Sequence, residues 1–187
     1  MDVTEHIFGY KDKKFIEIEF RLGKIVEKKF DTNVGKEMFE KIHRRLLKYK
    51  GWEEIKQISD EVYYWDDGTR CVYNDDSSVT CKKHSIMKKD FNLNQPLDVR
   101  FAVSQEVPVD QPDSDAKRSV SRKRTSFIRK NVSIDLTEVS GSPSDIDCED
   151  DVTYHVEVEF MNPYELLKHH QILNSVQKVH DLIKITV

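Results

Sequence analysis

Residues 15–23, FIEIEFRLG, and 154–160, YHVEVEF, alternate apolar and charged side chains with period two. In the first, Ile16, Ile18 and Phe20 oppose Glu17, Glu19 and Arg21; in the second, Val156, Val158 and Phe160 oppose Glu157 and Glu159. Successive side chains of a strand point to opposite faces, so each segment has one apolar and one charged face. Taken singly, such a strand is an ordinary half-buried one with its charges in water. Two of them with paired acids at the same spacing, near opposite ends of one chain, ask for more.

The rest of the chain supplies partners for them. Residues 24–30 read as a returning strand with Gly23 near the turn. Asp31 or Thr32 then caps a helix running to about residue 50. Met38, Phe39, Ile42, Leu46 and Tyr49 recur there at helical spacing, and Gly51 ends it. Ile55, Ile58, Val62 and Tyr64 mark a strand, and Asp66-Asp67-Gly68 a turn. Residues 70–73 and 79–84 read as a hairpin, with Cys71 and Tyr73 opposite Arg70, and Val79 and Cys81 opposite Lys82. Residues 88–96 read as loop. Over 97–109, Val99, Phe101, Val103 and Val107 take one face of a long strand, and Arg100, Ala102, Ser104 and Glu106 the other. An acidic connector leads to 117–129, KRSVSRKRTSFIR, with Arg122, Arg124 and Ser126 on one face. This basic strand hairpins onto 131–139, NVSIDLTEV, where Ile134 and Leu136 oppose Ser133, Asp135 and Thr137. Residues 1–14 read as a polar lead-in and 140–151 as a flexible acidic loop. A C-terminal helix is predicted over 163–182, with Leu166, Leu167, Leu173, Val176 and Leu182 on one side.

Two amphipathic helices need an apolar surface, and the strands' apolar faces supply it. Their charged faces then point the other way, into bulk water on an open sheet or into the lumen of a closed barrel. The pattern predicts a single mainly β domain of about eight or nine strands, mostly antiparallel, with one inserted helix and one C-terminal helix outside. The lumen would hold Glu17, Glu19, Glu106, Asp135, Glu157 and Glu159 with Arg21, Arg70, Lys82, Arg100, Arg122 and Arg124, plus Ser104, Ser126 and Thr137.

Composition narrows the partners. The net charge is −4 despite 30 Lys and Arg, so a polyanion would be held in a local pocket, not by the protein's overall field. The three cysteines, Cys71, Cys81 and Cys148, are odd in number and lack metal-site spacing, which points to a reducing compartment. No apolar run is long enough to span a membrane, and a soluble intracellular protein, nuclear or cytoplasmic, is expected. The seven histidines are scattered and take no role. Tyr63, Tyr64 and Trp65, which could stack bases, read as packing.

Carboxylates crowded in a lumen repel by roughly 4 kcal/mol per close pair at an intermediate dielectric. Either some are protonated or a cation sits among them. All-oxygen ligation favours Mg²⁺ or Mn²⁺ over zinc. Arg and Lys across from such a cation suit a phosphate chain bridging the two, and hence phosphoryl transfer to water.

In EIEFRLG, VRFAVSQEVPV, RKRTSF, IDLTEV and VEVEF, in that order, the chain resembles the metal-dependent RNA 5′-triphosphatases of fungi, protozoa and large DNA viruses, a branch of the triphosphate tunnel metalloenzymes. The resemblance implies an eight-stranded antiparallel closed tunnel with a charged lumen, which removes the γ-phosphate from triphosphate-ended RNA, the first step of mRNA capping, and also hydrolyses NTPs. It implies Mg²⁺ or Mn²⁺ on Glu17, Glu19 and Glu159 with Glu157 beside them. Glu106 would orient water, Arg70, Lys82, Arg122 and Arg124 would grip the triphosphate, and Asp135 and Thr137 would brace those bases. Arg21, Arg100 and Ser126 join the substrate-side set. His155 and Ser133 stand where the family usually has an acid and a base. The compact length resembles a stand-alone viral member served by a separate RNA guanylyltransferase. Two other functions share this pattern: a tripolyphosphate, nucleotide or thiamine-triphosphate phosphohydrolase of the same fold, and a phosphate-binding barrel without turnover. Glu106 argues against the latter, since a pure binder has no use for a carboxylate facing a polyanion.

Overall fold

A computed structural model describes residues 3–75, 77–141, 152–165 and 169–186. Nine strands run in chain order as β1 (Ile16–Val26), β2 (Lys29–Asp31), β3 (Glu54–Tyr64), β4 (Thr69–Tyr73), β5 (Ser78–Phe91), β6 (Asp98–Pro108), β7 (Arg118–Arg129), β8 (Val132–Ser140) and β9 (Thr153–Phe160). Eight of them pair antiparallel in the order β1-β6-β5-β4-β3-β7-β8-β9, and β9 returns to β1 to close the barrel. The two segments with paired acids are therefore neighbours: Glu19 lies directly across from Glu159, and Arg21 across from Glu157.

β2 is an appendage on the far end of β1. The turn between them falls at Glu27 and Lys28, both with positive φ as a two-residue hairpin turn requires. Gly23 is not a turn residue but part of β1. A Cβ there would overlap the Asp31 carbonyl oxygen and the Phe30 ring, so glycine is needed for the close approach of β2.

The alternation sends Ile18, Phe20 and Leu22 outward from β1, with Val99, Phe101 and Val103 from β6, Ile134 and Leu136 from β8, and Val156 and Val158 from β9. Three helices cover this face. α1 (Thr4–Tyr10) contributes Ile7, so the expected polar lead-in holds a helix too short to show periodicity. α2 (Lys36–Lys48) contributes Phe39, Ile42 and Leu46. It begins at Gly35 rather than at the expected Asp31 or Thr32 cap, because Asp31 is spent in β2. α3 (His169–Thr186) contributes Ile172, Val176, Val179 and Leu182, while Leu173 is exposed. Leu166, Leu167, residues 142–151 of the expected loop and Cys148 lie outside the described residues.

Among the described residues the outer face of β3 is exposed, while Met87 and Phe91 at the far end of β5 pack against the core. β5 also continues to Phe91, through a register shift between Ser85 and Met87, across residues expected to be loop. The linker from β2 to α2 is pinned to β9: Val34 N–H donates to the Tyr154 carbonyl at 2.9 Å, and Tyr154 N–H to Asn33 Oδ1 at 3.0 Å. This brings Asp31 and Asn33 to the cavity inside the barrel.

Candidate active site

The lumen encloses a cavity of about 850 Å³ lined by Glu17, Glu19, Arg21, Arg70, Glu106, Arg122, Arg124, Thr137, Glu157 and Glu159, all expected from the alternation, and by Lys83. β1 and β9 form its acidic wall. Glu17 accepts from the Lys83 ammonium and from the Ser104 hydroxyl at 2.6 Å. Burial pushes its carboxyl up, but Lys83, Ser104 and Arg70 together overcome this and hold it at about 2. Glu19 accepts from Arg21 Nε at 2.8 Å, and Glu157 lies 3.1 Å from the same nitrogen.

Two of the other three acids on this wall are under-compensated. Burial, reinforced by Glu157 and only partly offset by Arg21, raises Glu19 to about 7. Burial, with Glu17 and Asp135 nearby, raises Glu159 to about 8. Glu157 goes the other way: despite burial, Arg21, Arg124 and His155 lower it. The wall thus holds more carboxylate than its neighbouring cations neutralise.

The facing walls carry the bases. Arg70 Nη2 donates to Glu106 at 2.5 Å, and Lys83 lies 3.1 Å from the same Glu106 oxygen. Arg70 Nε is buried and has no hydrogen-bond partner among the described residues. Arg122 grips Asp60 through two parallel bonds of 2.7 and 2.8 Å. Arg124 Nε donates to Thr137 at 3.2 Å, and its Nη1 lies 3.8 Å from Asp135, which in turn accepts from Ser133 at 2.5 Å. Asp135, Thr137, Ser104 and Ser126 are buried beneath this layer.

Two expected lumen residues are elsewhere. Lys82 points outward and pairs with Asp67 at 2.9 Å; Lys83 occupies the lumen in its place. One residue of register exchanges the faces of a strand. Cys81 misled here: it reads as apolar and therefore outward, yet it lies opposite Arg70 on the lumen side. Cys71, opposite Thr80, is on the other face, so the two cysteines do not form a pair on one surface. Arg100 shares the lumen-side parity of Arg21 but turns away. It is bidentate to Asp90 at 2.7 and 2.9 Å and stacks on Phe30 at 4.6 Å. Asp60, Lys83, Tyr64 and Arg118 were missed. The signal for Lys83 and Asp60 was a charge at the next alternate position on strands whose apolar face is not marked.

The acidic wall suits a hard divalent cation by its donors: four lumen carboxylates, two of them raised by burial and by the acids beside them. Among the described residues no three acids converge on one point, since Glu17 is turned to Lys83 and Glu19 to Arg21. A bound ion would draw them off these partners.

A family model described as mRNA_triPase, the mRNA capping enzyme beta chain, matches residues 69–186. No curated protein matches the chain in sequence. Among solved structures, the Pct1 RNA triphosphatase of S. pombe superposes with a TM-score of 0.79 at 18% identity, covering 98% of this chain and 88% of that one. The same protein in complex with the Spt5 CTD gives 0.81 at 15% identity, over 97% and 88%. The RNA triphosphatase domain of a trifunctional mimivirus mRNA capping enzyme gives 0.66 at 16% identity, over 98% and 95%. The barrel is thus shared with fungal and viral proteins alike.

Proposed function

This chain belongs to the mRNA capping enzyme beta-chain family, and from that premise we propose that it hydrolyses the γ-phosphate of triphosphate-ended RNA with the help of Mg²⁺ or Mn²⁺. The observation that carries the reading is the facing of a carboxylate wall, on β1 and β9, and a guanidinium–ammonium wall, on β4, β5 and β7, across one cavity.

Glu17, Glu19, Glu157 and Glu159 would hold the ion, which when bound neutralises charge on the phosphate oxygens. Arg70, Lys83, Arg122 and Arg124 take the triphosphate. Arg122 and Arg124 are oriented beforehand by Asp60, Thr137 and Asp135, so little ordering is left for substrate binding. Each guanidinium has five N–H donors, and those not used in bracing face the substrate. Glu106 takes both of its ion pairs through Oε1, which leaves Oε2 to accept from and orient a water. The water oxygen attacks the γ-phosphorus in line and the bond to the β-phosphate oxygen breaks. Inorganic phosphate leaves, and the RNA keeps a diphosphate end. That end is the substrate of guanylyl transfer, so the partner we propose is an RNA guanylyltransferase, separate or joined.

The test is release of labelled γ-phosphate from triphosphate-ended RNA in Mg²⁺, Mn²⁺ or EDTA, beside ATP and tripolyphosphate. Metal-dependent release from RNA supports the reading. Release from tripolyphosphate alone moves the protein to the phosphohydrolases of the same fold, and release from none makes it a binding barrel.

A further inference from the structure

We infer that part of the cavity is a nucleoside subsite, in which Tyr64 and Arg118 stack the first base of the substrate; this rests on the triphosphatase reading above. Beside the acids and bases, the cavity lining holds Tyr64, Val120, Val139 and Val152, with Arg70, Arg118 and Arg122 as their cross-strand neighbours. Val62, fully buried and directly opposite Val120, backs this patch from the same face of β3. None of these residues belongs to the apolar core beneath the helices. Valines and a tyrosine inside a charged lumen do nothing to grip phosphate.

Their position matters more than their type. Tyr64 is paired across strands with Arg70 on one side and with Arg118 on the other. Its ring therefore starts about 4.8 Å, one strand spacing, from the residue that grips the phosphate chain. The Arg118 guanidinium lies over the Tyr64 ring, its carbon 4.4 Å from the ring centroid, so the two are stacked layers of one cationic wall to which a base would add as a third layer. Neither side chain is buried. A nucleobase offers a π-face to such a wall whatever its identity, which suits an enzyme that must accept any first nucleotide. Stacking is stronger for purines, and a purine-ended substrate is the better ligand.

The test compares binding of β,γ-imido-ATP with that of inorganic imidotriphosphate, by calorimetry in Mg²⁺, for the wild type, Tyr64→Ala, Tyr64→Phe and Arg118→Ala. In the wild type the nucleotide should bind at least ~10-fold tighter than the bare triphosphate. Tyr64→Ala should erase that difference, Arg118→Ala should shrink it, and Tyr64→Phe should keep it. Equal affinities in the wild type would overturn the subsite. So would a Tyr64→Ala variant that weakens both ligands alike, and so would binding of neither ligand. Because no turnover is involved, a wild type that prefers the nucleotide yet releases no phosphate from RNA would fail the triphosphatase reading alone.

Discussion

Lys82 and Lys83 are adjacent in sequence and opposite in consequence. Lys83 joins Glu17 and Glu106 inside the barrel, while Lys82 meets Asp67 outside. Removing one pre-placed donor from a transferring group's charge typically costs 10²–10³-fold in kcat. Lys83→Ala should therefore lose roughly 10²-fold or more in kcat, and Lys82→Ala should stay within about two-fold, an exposed ion pair contributing little. Steady-state phosphate release from ATP reads both; the reverse order would put the register of β5 in error. At the same scale, Glu19 and Glu159 carry raised folded-state values of about 7 and 8 against an ordinary 4.5. Between 4.5 and 8 the folded protein then binds more protons than the unfolded chain, so its stability falls as pH rises. His155, lowered by burial, works in the opposite sense as a single imidazole. Melting in EDTA should give a Tm that drops from pH 5 to pH 8. Glu159→Gln should flatten the drop, and Mg²⁺ at pH 8 should reverse it. A Tm that rises with pH in EDTA would contradict this electrostatic picture.

At the scale of elements, strands whose outer face packs into the core beneath the helices are legible throughout, and the others only in part: Arg70 of β4 falls where alternation puts it, and Lys83 of β5 does not. In β1, β6, β8 and β9 the apolar face must meet α1, α2 or α3, so alternation tells inside from outside, and Glu17, Glu19, Asp135, Glu157 and Glu159 follow. Among the described residues, β3, β4 and the first part of β5 send no side chain into that core. Lumen positions are taken by Val62, Tyr64 and Cys81, outer ones by Lys82 and His84, and the rule that apolar means outward inverts. Asp60, which orients Arg122, was hidden for the same reason. Arg100 was misplaced because parity fixes the face of a residue, not where a long side chain ends. The expectation of a turn near Gly23 fails because a glycine's need for space looks the same in sequence as its freedom of φ. Gly23→Ala should destabilise by about 1–3 kcal/mol, as overpacking does. Gly9→Ala, within α1 and with nothing near the new methyl, should stabilise by roughly 0.5–1 kcal/mol. Denaturant midpoints distinguish them, and a neutral Gly23→Ala would mean that β2 is free to move aside.

On the scale of the whole molecule, closure of the barrel does the chemical work. Glu19 and Glu159 are 140 residues apart in number and directly opposed in register, which puts like charges together at a cost the fold meets only with a cation or a proton. A divalent ion on this acidic wall and a triphosphate on the basic wall would then occupy one cavity together. Crystals grown with Mn²⁺ and tripolyphosphate, read by the anomalous signal of manganese, should show one peak among Glu17, Glu19, Glu157 and Glu159, with phosphate density reaching Arg70, Lys83, Arg122 and Arg124. A peak away from β1 and β9, or phosphate bound outside the barrel, would separate the two walls and overturn their joint role.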